Sequence, residues 1–185
     1  MTKKTLYIIL GVVALVGLYI WSSYNGFVSA NEGVNGGWAQ VETQYQRRFD
    51  LIPNLVNSVK GILKQEKEVF GSLAEARTRY SGAVTVNDKV KAATQVESAL
   101  GRLLVVLENY PVLRSTETVQ TLMAQLEGTE NRISVERKRY NDLVQLYNLR
   151  VKSFPSSLMA KAFSFEQKAY FEAASGAATA PKVEL

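Results

Sequence analysis

The chain has 185 residues, 46% of them apolar, and a formal net charge of +5, enough for one domain with a core plus an anchor. With no cysteine and no histidine, disulfides and thiolate chemistry are excluded. The commonest metal ligand and the usual general base are also missing. Basic residues alternate with acidic ones even in the densest patch, Arg132 to Arg139, where Glu136 intervenes. With no aromatic-interleaved basic motif, this reads as a solvated helix face, and nucleic acid is not an expected partner.

Leu6 to Trp21 carries no charge, and Thr5 to Val28 extends the charge-free stretch to about 24 residues, where a membrane span needs roughly 20. Leu6, Ile9, Val13, Leu18 and Trp21 are typical of this predicted transmembrane anchor, residues 1–28. Tyr7 lies near one end, and Tyr19, Trp21 and Tyr24 near the other, where rings favour the headgroup layer. Lys3 and Lys4 precede the run, and the next basic residue is Arg47. That bias predicts a single-pass cell-membrane protein, N-terminus cytoplasmic and the remainder extracytoplasmic. A cleaved signal peptide is the competing reading, with Val28-Ser29-Ala30 as a cleavage site, but the run is long for one. Gly11 and Gly17 are wrongly spaced for a close-approach dimer motif.

Residues 29–37 form a juxtamembrane connector. Three glycines and two asparagines between Asn31 and Gly37 suggest either a flexible break or a weakened continuous helix, since a helical glycine costs only about 1 kcal/mol. The second is favoured, with the helix firm again near Gly37. The bundle domain, 38–172, opens with a stripe at alternating three- and four-residue spacing: Trp38, Val41, Tyr45, Arg48, Ile52, Leu55, Val59, Ile62, Glu66, Val69, Leu73, Ala76. Such coiled-coil spacing marks a helix packed along its length on another, here from about Gly37 to Tyr80. Pro53 interrupts it, with Asp50 placed to cap a restarted helix. The stripe keeps its period across Pro53, so a kink is expected rather than a turn.

A second helix, capped by Asn87 or Asp88, runs to about Asn109 and ends at Tyr110-Pro111. A third starts near Ser115 or Thr116 and runs to about Lys152. It carries the second stripe: Val119, Met123, Leu126, Glu130, Ile133, Arg137, Tyr140, Val144, Tyr147, Val151. Helices one and three are each expected to reach roughly 50 Å. Phe154-Pro155 ends the third, a short helix covers about Ser156 to Phe163, and the aromatic segment through Tyr170-Phe171 folds back over the bundle end. Residues 173–185, rich in Ala, Ser, Gly, Thr and Pro, read as a disordered tail. No β alternation of useful length is present. The fold class is all-α: a transmembrane helix followed by an antiparallel bundle of long helices.

Arg48, Glu66, Glu130 and Arg137 occupy core-type positions, and an unpaired buried charge is costly. In an antiparallel pair of helices, Arg48–Glu130 and Glu66–Arg137 demand different registers, so at most one pair forms directly between helices one and three. The others need partners within a helix, on helix two, or on a neighbouring subunit. Such a polar seam commonly fixes register and partner choice, or it lines a ligand pocket. No catalytic, cofactor-binding or metal-binding residues are assigned: the glutamates lack a companion nucleophile. Tyr45, Tyr140 and Tyr147 are expected in the core with their hydroxyls bonded, and Asn141 and Asn148, on one helix face, in interhelical hydrogen bonds.

These residues resemble a known family. Tyr24-Asn25, Trp38, Gln44, Arg47-Arg48, Asp50-Leu51-Ile52-Pro53-Asn54-Leu55-Val56 and Val59-Lys60-Gly61 are similar to the LemA family of bacteria. So are Glu66, Ala76-Arg77, Glu108, Tyr110-Pro111, Leu113, Glu127, Glu130-Asn131, Ile133, Arg137, Tyr140-Asn141, Tyr147-Asn148, Phe154-Pro155 and Tyr170-Phe171. The resemblance implies an N-terminally anchored, extracytoplasmic antiparallel bundle with no established enzymatic activity. Family members linked to magnetosome membranes hint at membrane organisation. Members often follow Val-Lys-Gly with Tyr-Ala and a histidine; here Ile62-Leu63-Lys64-Gln65 stands instead, and a role resting on that histidine does not transfer. The expected function is a non-catalytic scaffold without cofactor, touching membrane lipid, self-associating as a homo-oligomer and engaging an unidentified envelope protein. The alternative is an anchored adaptor that takes a peptide, lipid or envelope component in the polar seam.

Overall fold

The computed structural model describes residues 3–61 and 66–171. They form six helices: α1 (Lys3–Lys60), α2 (Lys67–Gly82), α3 (Val86–Glu108), α4 (Pro111–Arg114), α5 (Glu117–Lys152) and α6 (Ser156–Ala162). No strand is present among the described residues. Two compact units result, one of residues 3–40 and 138–170, the other of 41–61, 66–137 and Phe171. The expected tail, 173–185, and Ile62 of the first stripe lie outside the described residues.

α1 follows the favoured reading at its start, a helix continuous from the anchor, and is shorter than expected at its end. It runs through Asn31–Gly37 without a break, and Val34 within that stretch is buried, as is Phe27 before it. At its other end the expected helix to Tyr80 is two helices. α1 stops at Lys60, Gly61 turns, and α2 starts at Lys67. The apolar period of the sequence survives this boundary: Val69 continues the spacing from Val59 although it belongs to a separate helix. Pro53 lies inside α1 and does not end it. Asp50 caps no helix; its carboxylate accepts from Gln46 Nε2 at 2.9 Å.

In the first unit α1 and α5 are antiparallel. A Cβ on Gly37 would fall 2.7 Å from Leu143 Cδ1, so the absent side chain lets the helices approach closely. Trp38 meets Tyr140 edge to face, centroids 6.0 Å apart, above a core of Phe27, Val34, Val144 and Tyr147. Burial pushes the Tyr140 and Tyr147 hydroxyls to higher pKa. Nearer the N-terminus, Arg150 Nη1 donates to the Gly26 carbonyl. α1 is the one helix among the described residues long and apolar enough to cross a membrane, and Leu6 to Leu18 on it are all exposed.

α6 ends in a Schellman motif. Phe165 N–H donates to the Ala160 carbonyl at 2.8 Å and Ser164 N–H to that of Lys161 at 3.4 Å, with Ser164 left-handed at φ 58°. The reversal stacks Phe165 on Phe27 at 4.9 Å and sets Phe163 against Tyr24 at 5.0 Å. The chain then runs back along α5 as a strap. Asn148 holds it: Nδ2 donates to the Lys168 carbonyl and Oδ1 accepts from Lys168 N–H, both at 2.8 Å. The expected interhelical bond is thus a helix-to-strap bond, because an amide side chain reproduces the backbone donor–acceptor pair the strap lacks.

The second unit packs residues 41–60 of α1 with α2, α3, α4 and residues 117–137 of α5. Its core includes Val41, Tyr45, Ile52, Leu55, Leu73, Leu103, Leu107 and Ile133. The cap of α3 is Thr85 rather than Asn87 or Asp88. Its Oγ1 accepts from Asp88 N–H at 3.1 Å and donates to the Asp88 carboxylate at 2.7 Å, a capping arrangement that needs Asp at the third helical position, not at the cap. Pro111, expected as a stop, also starts the four-residue α4, which buries Leu113.

Candidate functional site: a charged seam beside a cavity

Arg48 belongs to the buried face of α1 in the second unit, and only 1% of it is exposed. Its neighbours Tyr45, Ile52 and Leu55 are equally buried, so the helical period carries the guanidinium inward. Nη2 donates to Glu130 Oε2 on α5, whose side chain is 43% exposed. Nη1 is buried with no hydrogen-bond partner among the described residues. Burial lowers the Arg48 pKa from its usual value; Glu97 and Tyr45 oppose that shift and Arg137 adds to it.

One helical turn along the seam, Arg137 of α5 donates to Tyr45 Oη from Nε at 3.0 Å and from Nη2 at 2.7 Å, and Nη2 also donates to Glu97 Oε2 of α3 at 3.1 Å. Its guanidinium lies 5.6 Å from the Tyr45 ring centroid and 5.4 Å from that of Phe171, within cation–π range. Burial works against the Arg137 charge, but Tyr45 and Glu97 outweigh it and hold its pKa above the usual value. Burial raises the Tyr45 pKa, against the lowering pull of Arg137. Tyr80, whose hydroxyl is buried without a partner among the described residues, is also pushed up by burial.

Of the four charged stripe positions, the structure brings three to this seam. Arg48 and Glu130 pair directly, and Arg137 turns to Tyr45 and Glu97. Glu66 is elsewhere. It stands at the N-cap of α2 without a side-chain cap bond, because α1 ends at Lys60 and a separate helix begins at Lys67. Glu97 was not singled out in the sequence. It sits beside Val96 at the edge of the apolar face of α3, where a glutamate reads as solvated unless an arginine is known to face it.

The seam opens on a cavity of about 700 Å³, within the range of ligand sites. Arg48, Glu97 and Glu130 stand at its polar part, Leu100, Leu104 and Met123 supply apolar wall, and Arg114 and Glu127 also line it. A Cβ on Gly101, another lining residue, would meet nothing within 4 Å, so the wall is open there. The arrangement offers a free guanidinium donor beside an apolar surface. It offers no nucleophile paired with a base, and no group of three metal-ligating residues exists among the described residues.

Three relatives cover most of the chain. Magnetosome proteins MamQ 1 and MamQ 2 of Paramagnetospirillum magneticum are each 26% identical over 190 residues, 89% of this chain and 70% of theirs. Magnetosome protein MamQ of Magnetospirillum gryphiswaldense is 25% identical over 174 residues, 80% of this chain and 64% of its own. The family model of LemA matches residues 37–185, which include α2 to α6, the seam and the cavity, and the chain belongs to the LemA family.

Proposed function

We propose that this chain is a single-pass membrane protein, N-terminus cytoplasmic, that holds its helical bundle outside the membrane as a non-catalytic, self-associating interaction scaffold. One observation carries the reading: α1 passes from an exposed apolar rod into a buried core position with no linker. Cleavage after Ala30 would remove Phe27, which is fully buried, and Gly26, whose carbonyl holds Arg150. A retained anchor accounts for both. The three relatives are named as magnetosome proteins, and we take that as support for a structural rather than catalytic role. The test is crosslinking in intact membranes with protease protection. The proposal predicts a full-length chain in the membrane fraction, a bundle cut only from the outside, and crosslinked homo-oligomers. A chain shortened by thirty residues, or strictly monomeric in membranes, refutes it.

A second reading is favoured by Arg48 Nη1, a buried donor without an acceptor among the described residues, beside an open cavity. In that reading the scaffold is an adaptor, and the seam takes a peptide, lipid or envelope component through an oxygen acceptor and an apolar group. Gly101→Leu adds apolar bulk to the wall at a position where a Cβ meets nothing within 4 Å. It should abolish co-purification of the ligand while leaving helicity unchanged; unaltered co-purification excludes the cavity as the site.

A further inference from the structure

We infer that the α5–α6 turn is a second membrane-contact element, docked in the outer interfacial layer of the bilayer that α1 spans. The inference rests on the reading of α1 as the span and adds a surface to it. The charge-free stretch Thr5 to Val28 is about 36 Å long at ~1.5 Å per residue, against a hydrocarbon core of about 30 Å. Tyr24 to Val28 therefore stand at the outer boundary of the lipid.

Contacts inside the first unit bring the turn to that same level. Arg150 binds the Gly26 carbonyl, Phe163 packs on Tyr24 and Phe165 on Phe27. Beyond Arg150, α5 runs on toward the bilayer to Lys152 before the chain turns. Phe154, in the turn itself, is 81% exposed, and Leu158 on α6 is 55% exposed. A large apolar side chain so exposed is unremarkable singly. Here the two belong to the segment that packs Phe163 on the exposed Tyr24, at the depth where aromatic rings prefer to sit.

Charge agrees. From Arg150 to Lys168 there are four basic residues, Arg150, Lys152, Lys161 and Lys168, against one acidic, Glu166. Lys152 and Lys161, both exposed, flank the apolar pair. Their stems can lie along lipid while the ammonium groups meet phosphate. The Schellman reversal at Ser164 explains why the turn stays at this depth: it returns the chain onto Phe27 instead of letting it run on. Lipid, rather than a second chain, is the occupant, because the patch continues the anchor's own lipid-facing surface.

The natural absence of cysteine makes the test direct. Single spin labels are introduced in the full chain, reconstituted in vesicles of mixed zwitterionic and anionic phospholipid, at Phe154→Cys and Leu158→Cys. Reference labels are Val13→Cys in the span and Leu146→Cys on α5. The ratio of accessibility to oxygen over a water-soluble nickel complex should be severalfold higher at 154 and 158 than at 146, approaching that at 13. A lipid value at 13 with water values at 154 and 158 overturns the inference and leaves the anchor intact. A water value at 13 overturns the anchor reading itself. Protection of 154 and 158 from both reagents, with spin–spin broadening, assigns the patch to a second copy and also overturns the inference.

Discussion

The Arg48–Glu130 pair is asymmetric, and the asymmetry predicts which half matters more for stability. Arg48 is 1% exposed and Glu130 43%. Removing the glutamate leaves a buried guanidinium with neither Nη bonded, the situation that costs about 3–5 kcal/mol when one partner of a buried pair is deleted. Water entering from the adjoining cavity recovers part of this, so Glu130→Ala should cost about 3 kcal/mol. Removing the arginine is different. Methionine keeps most of the buried apolar stem, the charge disappears, and Glu130 rehydrates where it stands, so Arg48→Met should cost about 1 kcal/mol or less. The double variant should then resemble Arg48→Met alone, since the glutamate matters only while the guanidinium is present. Thermal unfolding of the full chain in lipid nanodiscs, followed by far-ultraviolet circular dichroism, reads the difference. At 2–4 °C per kcal/mol for a chain of this size, Glu130→Ala should lower Tm by about 6–12 °C and Arg48→Met by only a few degrees. An Arg48→Met loss equal to or larger than that of Glu130→Ala would show that packing of the arginine stem, not the uncompensated charge, governs the seam.

Three further outcomes follow from particular contacts. Asn148→Ala removes two hydrogen bonds to Lys168 and leaves the strap backbone unpaired; it should cost about 2 kcal/mol and speed hydrogen exchange at the Lys168 amide, with Phe27 burial intact. Ser164→Gly relieves a side chain held at φ 58° and should stabilise by about 0.5–1 kcal/mol, seen as a raised Tm. With no histidine or cysteine side chain to titrate, stability should be nearly flat between about pH 6 and 9. Burial raises the pKa of Tyr45, Tyr80, Tyr140 and Tyr147 in the folded state, so folding favours their protonated form. Their contribution is complete below the unfolded value of about 10 and is lost as pH rises through the folded values. Urea titrations at a series of pH values should show stability falling only on the alkaline side of that point; a fall between pH 6 and 9 would refute the assignment.

Periodicity made the long helices and most of the core legible, because burial in a bundle depends on little else: Trp38, Val41, Tyr45, Ile52, Leu55 and Val59 are all buried as the first stripe requires. The same signal concealed the turn after Lys60. A stripe reports phase, and a connection that preserves phase is invisible to it, so the spacing carries no sign of the helix end before Gly61, while Pro53 is a break signal that α1 absorbs. The seam was half legible for a related reason. Charges at core spacing announce themselves, and the register conflict between the two arginine–glutamate pairs showed that at least one needed another partner, within a helix, on helix two or on a neighbouring subunit. Which residue that would be depended on how α3 lies against α5, and Glu97 has an unremarkable position on its own helix. Asn148 shows the limit most clearly. Its place on the α5 face was readable, but its partner is the backbone of a strap whose return along α5 is set by Ser164 in a left-handed conformation and by Phe165 on Phe27. A local reversal of two or three residues thus decides what a buried amide twenty residues away binds, and helical spacing contains no term for it.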